Sequence, residues 1–309
     1  MNKAIRAALG RAALGALSAL CAVSANSALA ETAPQVLAVL ALPGAVLLDG
    51  NLKEWGGDGW IKVPLKPSLD KSERAKYGLE AESQNHTGAI TVLLKAGVAQ
   101  GRFFLAARWP DDNPDTDYKG WEWNGSKYAE GKKRDDMFAV RFHLDGDYDR
   151  SMLSGKNYRA DVWLWSAGRT NPSGYAEDMM HVISGKLIEN AAEYETVDSG
   201  TVYIKKSRDA GNPLYKPTRA PKAKQADQLA SFEALANASG SVADVAAKAV
   251  WKDGYWNIEF GRKLDTGNPD DAVFKAGKKL LGQIAVFNHS SDEHKSISEA
   301  LWFDFSAVK

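Results

Sequence analysis

Met137-Phe-Ala-Val-Arg-Phe-His-Leu144 and, one loop later, Ala160-Asp-Val-Trp-Leu-Trp165 decide the fold class. In the first run Phe138, Val140 and Phe142 recur at a period of two, and in the second Val162 and Leu164 share a face with Ser166. Side chains alternate across a strand, so this spacing reads as two strands rather than a helix. Similar short runs occupy residues 89–94, 102–109, 202–205, 255–260, 283–287 and 301–305, divided by Gly, Asp, Asn and Pro. Many short alternating runs between turn residues predict a mostly β protein built as a single β-sandwich.

Two segments break this pattern. Residues 65–84 are charged and read as a short helix or loop. Residues 216–248 are rich in Ala, Lys, Ser and Asp, and they interrupt an otherwise regular run of strands. They predict a long surface insertion, partly helical around 226–236, of the kind that often serves as a lid or mobile segment. The strands that follow are needed to complete the sandwich, so residues 31–309 read as one domain.

The first thirty residues read as a separate element. Lys3, Arg6 and Arg11 precede an Ala/Leu-rich run over 12–23, and Ala28-Leu29-Ala30 gives a small-x-small end. This is the pattern of a secretory signal peptide over residues 1–30, cleaved after Ala30, which predicts a periplasmic protein. The apolar run is shorter than the roughly 20 residues a spanning helix needs, so no membrane insertion is expected after cleavage. Cys21 follows Leu20, where a lipidation site wants a small residue.

Cys21 is the one cysteine, so the chain beyond the signal has none. That excludes disulfides, thiolate metal sites, iron–sulfur clusters and covalent c-type haem from it. Setting aside Lys3, Arg6 and Arg11 leaves 36 basic against 39 acidic residues, a balance that offers nothing to nucleic acid. Ten Trp are more informative, because Trp serves cores, interfaces and flat ligands.

Four motifs in order narrow the reading. Leu48-Asp-Gly-Asn-Leu-Lys-Glu-Trp55 pairs an Asp-Gly turn with a plugging Trp. It resembles the opening of family 9 carbohydrate-binding modules and of related haem-binding domains. Asp161-Val-Trp-Leu-Trp-Ser-Ala167 resembles the Asp-x-Trp-x-Trp-Lys-Ala run of the ethylbenzene dehydrogenase-type haem-binding family, with Ser166 in place of that Lys. Trp251-x-Asp-Gly-x-Trp256 followed by Arg262-Lys-Leu-Asp-Thr-Gly-x-Pro-Asp-Asp271 is similar to a second stretch of it. Ala285-Val-Phe-Asn, then His294-Lys-Ser-Ile-Ser298, completes the order. The likeness spans residues 47–305, to the gamma subunits of DMSO reductase-like molybdenum enzymes.

The resemblance implies a non-covalent b-type haem with Met and Lys as axial ligands. By position these are Met152, in the loop between the two quoted strands, and Lys295. A thioether and a neutral amine can both coordinate iron. Trp163 or Trp165 would wall the pocket, and Arg169 and Arg159 would meet the propionates. Considered alone, Met152 reads as packing and Lys295 as a solvated side chain. His181, beside Met179 and Met180, is the foremost rival ligand, with His143, His289 and His294 behind it. The partner implied is a molybdenum oxidoreductase or a multihaem cytochrome c, with this chain an electron carrier and not itself an enzyme. Two other readings stay open: a family 9 type carbohydrate-binding module, and a haem-free structural subunit.

Other motifs carry less. Asp145-Gly-Asp147-Tyr-Asp149 alternates carboxylates as a Ca²⁺ loop does, but Arg150 stands at the turn Gly and Lys156 at the closing Glu. It reads as a polar turn. Asp111, Asp112, Asp115 and Asp117 form a similar acidic stretch. No phosphate-binding glycine loop and no supported Ser/His/Asp order is present.

Overall fold

Phe138, Val140 and Phe142 are fully buried, and on the neighbouring strand Trp163 and Trp165 share their face. The computed structural model describes residues 34–44, 46–69, 85–196, 198–290 and 295–308. The expected signal peptide, residues 70–84 and His294 lie outside them. From Pro34 on, the chain forms one compact unit.

Strands dominate. They are β1 (Gln35–Ala41), β2 (Ile61–Pro67), β3 (Ile90–Ala99), β4 (Arg102–Pro110), β5 (Trp121–Trp123), β6 (Tyr128–Glu130) and β7 (Met137–Gly146). Then come β8 (Tyr158–Ser166), β9 (Glu177–Ser184), β10 (Ala192–Thr196), β11 (Gly200–Arg208), β12 (Gly211–Asn212), β13 (Tyr215–Pro217) and β14 (Gln228–Leu229). The last are β15 (Phe232–Ala234), β16 (Ser239–Gly240), β17 (Ala246–Lys252), β18 (Tyr255–Lys263), β19 (Lys279–Phe287), β20 (Ser296–Ser298) and β21 (Leu301–Asp304).

One hydrogen-bonded array runs β10-β11-β9-β8-β7-β19-β20-β2-β3-β4-β18-β17. It folds over so that its halves pack face to face. Phe103 on β4 meets Phe142 on β7 at 6.3 Å, Trp163 on β8 at 6.0 Å and Phe303 on β21 at 6.2 Å. Trp109 on β4 stacks on Phe138 of β7 at 5.0 Å. Such rings each bury a large apolar area, which is the main term holding the layers together. Two bridges join the layers at the β3/β19 edge. β2 and β20 make one, and the parallel pairing of β1 with β3 and β21 makes the other.

The insertion over 216–248 holds no α-helix, only a three-residue 3-10 turn at Ser241–Ala243, and the expected helix around 226–236 is absent. β14 pairs with β5, β15 with β13 and β16 with β12, and β17 begins at Ala246 as the edge of the main array. The segment is stitched to residues 118–128 as well. Tyr128 Oη donates to the Ala226 carbonyl at 2.7 Å and accepts the Gln225 and Ala226 N–H groups, and Trp121 Nε1 donates to Thr218 Oγ1 at 3.0 Å. Ala and Lys favour helix by only tenths of a kcal/mol each, less than the roughly 1 kcal/mol that each hydrogen bond to Tyr128 or a neighbouring strand contributes. The segment also lacks the apolar stripe that lets a helix dock.

Candidate functional site

The outer face of the layer β20-β19-β7-β8-β9-β11 is apolar and largely buried. Cross-strand pairing sets Ala285, Ala139 and Leu164 in one row, and Ala160 beside His181 in another. Met137, Ala139, Ala285, Phe287 and Ile297 form one cluster there. Leu153, Tyr158, Ala160, Val162, Ile183, Val202 and Ile204 form a second, together with Leu69. A strand buried on both faces normally lies between two layers. Ala139 and Ala285 are cross-strand neighbours in the first cluster, and Ala160 lies in the second, beyond the row of Arg141 and Val162.

Met152 packs against the second cluster, as do Met179 and Tyr148. Its loop follows a bulge between His143 and Asp145, where Gly146 takes φ +84 and a Cβ would lie 2.4 Å from the Asn157 carbonyl. Only Gly fits there. Arg141 then organises the loop from below. It donates to Tyr148 Oη at 3.1 Å, Tyr158 Oη at 2.8 Å and the carbonyls of Asp149 and Arg150 at 2.9 and 3.1 Å, and it also reaches Gln283 Oε1.

Lys295 lies on the same face, with Nζ 5.5 Å from the ring centre of Phe287. Its carbonyl accepts the Ser68 N–H at 2.8 Å and Asn85 Nδ2 at 2.7 Å. The Ser68 carbonyl in turn accepts Arg150 Nη1 at 3.3 Å. Ser68 therefore ties the Met152 loop to the Lys295 segment.

His181 lies on the same face, on β9 between Ala160 of β8 and Lys206 of β11. Its Nδ1 is buried and unpartnered among the described residues. Burial holds its pKa well below the usual histidine value, and the charges of Lys206, Arg141 and Lys295 add to this. The ring is a neutral base with a free lone pair or N–H directed into protein. Arg169 stands at the rim, bonded to both oxygens of Asp135 and 2.9 Å from the Met137 sulfur.

The remaining candidates lie elsewhere. Trp163 and Trp165 point between the layers, on the opposite face of β8 from Val162 and Leu164. Arg159 is exposed and paired with Asp145. His143 Nε2 lies 3.1 Å from the Gly146 carbonyl, and His289 Nδ1 lies 3.3 Å from Asp115. In the acidic turn, Asp149 pairs with Lys156 at 3.1 Å and its Oδ1 accepts the Ser151 N–H.

Sequence reading missed Arg141 and the apolar outer face. Ala139 beside Val140, and Ala160 with Val162 on the far face of β8 from Trp163, carried part of the signal, since apolar residues stand on both faces, although Arg141 and His143 interrupt the outer face of β7.

The outer face of this two-layered β protein thus brings thioether, amine and imidazole groups to one buried apolar surface. Residues 54–298 match the family model described as ethylbenzene dehydrogenase, and the chain belongs to that family. Comparison with curated proteins returns no match. Among the described residues no helix is long and apolar enough to cross a membrane.

Proposed function

We propose that the protein holds a b-type haem non-covalently on the outer face of β19, β7, β8 and β9, with Met152 and Lys295 as axial ligands. It then carries single electrons to or from a larger redox enzyme, as an exported subunit or partner of a molybdenum oxidoreductase or a multihaem cytochrome. The observation that carries this is the buried apolar outer face, with Ala139 and Ala285 side by side in one cluster and Ala160 in the next, and thioether, amine and imidazole donors on the same face. The donor set fits haem iron: the orphaned Nδ1 of His181 marks a place where a further group belongs, and thioether and neutral nitrogen are ligands iron accepts. Bound haem would supply one-electron chemistry, and the chain supplies the rest. The apolar face excludes water, Arg141 and Ser68 fix the two ligand-bearing segments, and Arg169 offers a cation at the rim.

Five of the ten Trp are buried in the core, which leaves them no sugar-binding face. Protein purified from haem-supplied cells should show a Soret band with about one haem per chain. Colourless protein that takes up no added haemin would overturn the reading.

A further inference from the structure

On the other side of β8 and β9, facing the opposite layer, four charged side chains are withdrawn from water. They are Asp161 on β8, Asp178 on β9, Arg262 on β18 and Asp271 in the turn after β18. Arg262 Nη1 lies 2.7 Å from Asp161 Oδ2, 3.4 Å from Asp178 Oδ2 and 3.5 Å from Asp271 Oδ1. The guanidinium also lies over the rings of Trp163 and Phe274, at 5.0 and 4.9 Å. Three carboxylates against one guanidinium leave two negative charges without a partner in an apolar core. Unpaired buried charge is among the largest penalties a fold can carry.

A second observation points the same way. Asp161 Oδ1, Asp178 Oδ1 and Asp271 Oδ1 are all buried with no hydrogen-bond partner among the described residues. One oxygen from each of these carboxylates lies within 4.8 Å of the others. Asp209, Asp270 and Asp271 form an adjoining group by the same measure, at the half-buried side of the cluster. Burial raises the Asp161 carboxyl and pushes Asp178 well above its ordinary range, with the neighbouring carboxylates adding to the effect at both.

We infer that Asp161, Asp178 and Asp271 bind a hard divalent cation of the Ca²⁺ class, with Asp209 and Asp270 at its outer side. A double positive charge cancels the excess that Arg262 leaves. The cluster offers oxygen only, with no imidazole or thiolate, which suits Ca²⁺ and disfavours Zn²⁺ or copper. Three carboxylates withdrawn from solvent favour Ca²⁺ over Mg²⁺, because Mg²⁺ gives up its waters reluctantly and is usually held by one or two carboxylates. The ion ties β8 and β9 of one layer to the turn after β18 in the other, where the Ala272 N–H donates to Asp161 Oδ2 at 2.8 Å. The motif Arg262-Lys-Leu-Asp-Thr-Gly-x-Pro-Asp-Asp271 thus acquires a role: its ends supply the guanidinium and two of the carboxylates. The site lies on the opposite face of β8 and β9 from the proposed haem face, so each idea can fail without the other.

The test is metal analysis and thermal unfolding of the whole chain, after dialysis against EGTA and with about 1 mM CaCl₂, MgCl₂ or ZnCl₂ restored. About one equivalent of Ca²⁺ should bind, and unfolding should rise by roughly 5 °C at a hundredfold excess over Kd. Mg²⁺ should give less, and Zn²⁺ none. Asp178→Asn should abolish the shift, and Asp209→Asn, at the half-buried side, should weaken binding while leaving a folded protein. The inference is overturned if the wild type binds no metal and gains no stability from Ca²⁺. It is equally overturned if Asp178→Asn is as stable as the wild type in EGTA and still responds to Ca²⁺. The first result would mean that protons satisfy the carboxylates, and the second that any ion sits elsewhere.

Discussion

Trp55 donates its indole N–H to Glu259 Oε1 at 2.7 Å, joining residues 204 positions apart in the chain. The other oxygen of the same carboxylate accepts the N–H groups of Asp49 and Gly50 at 3.1 and 2.9 Å. Gly50 takes φ +79, and a Cβ there would lie 2.8 Å from Val250. The Asp-Gly turn and the Trp that follows it are thus two ends of one clasp, closed by β18. Trp55 itself is buried beside Phe104 and Ala106.

Trp55→Phe should keep most of the packing and lose the bond, which leaves Glu259 Oε1 buried and unpaired. The expected cost is about 1–3 kcal/mol. Glu259→Ala strands three donors at once and should cost more than about 3 kcal/mol. Urea unfolding of both variants checks this, and equal midpoints for Trp55→Phe and wild type would refute it.

Stability should also depend on pH in an unusual direction. Burial first, and then the charge of Asp111, pushes Asp136 to about 7, and burial likewise lifts Asp111 to about 6 and Glu259 to about 7. A carboxyl raised above its unfolded value binds more protons in the folded state between the two values. Its contribution is therefore full at the acid end and is lost as pH rises through the folded pKa. His181, with its lowered pKa, opposes this below its unfolded value near 6.5. Asp136→Asn isolates one group. The wild type should be less stable at pH 8 than at pH 5.5 by about 2 kcal/mol more than the variant is. A variant with the same pH slope would contradict the assignment.

How far the sequence could be read depends on what kind of signal each element left. β4, β7, β8, β18 and β19 could be read as strands from their short apolar runs, and each is buried on both faces over most of its length. β9 was missed because Glu177-Asp-Met-Met-His181 carries polar groups on both faces. Glu177 is answered by Arg208, and Asp178 by Arg262. Those partners are 31 and 84 residues away, beyond any local pattern. The same distance hid the buried cluster, whose carboxylates come from β8, β9 and the turn after β18 and whose guanidinium comes from β18. Residues 226–236 misled in the opposite way, since helical composition there meets Tyr128 and β5 instead of an apolar groove. Met152 and Lys295 could be named from the resemblance. That both rest on one face, joined through Ser68, is visible only in the fold.

Arg141 should act as a positioning residue for the Met152 loop. It is buried and spends its guanidinium on two loop carbonyls, two tyrosines and Gln283. Arg141→Met keeps the volume and leaves those acceptors unanswered, at an expected cost of about 2–4 kcal/mol. Limited proteolysis should cut the variant within residues 147–156 faster than the wild type. Unchanged protection of that loop would show that Arg141 does not hold it.

The haem reading makes its own demands on single side chains. Met152→Ala and Lys295→Ala should each keep the fold, because neither is fully buried, and each should shift the haem spectrum toward a five-coordinate or water-ligated iron. The double variant should lose haem on gel filtration. His181→Ala removes an imidazole held neutral by its surroundings and should leave the spectrum in place if Met152 and Lys295 are the ligands. The three variants therefore separate the alternatives. If His181→Ala alone shifts the spectrum while Met152→Ala and Lys295→Ala retain it, the iron is bound by His181, and the apolar face is right but the ligand pair is wrong.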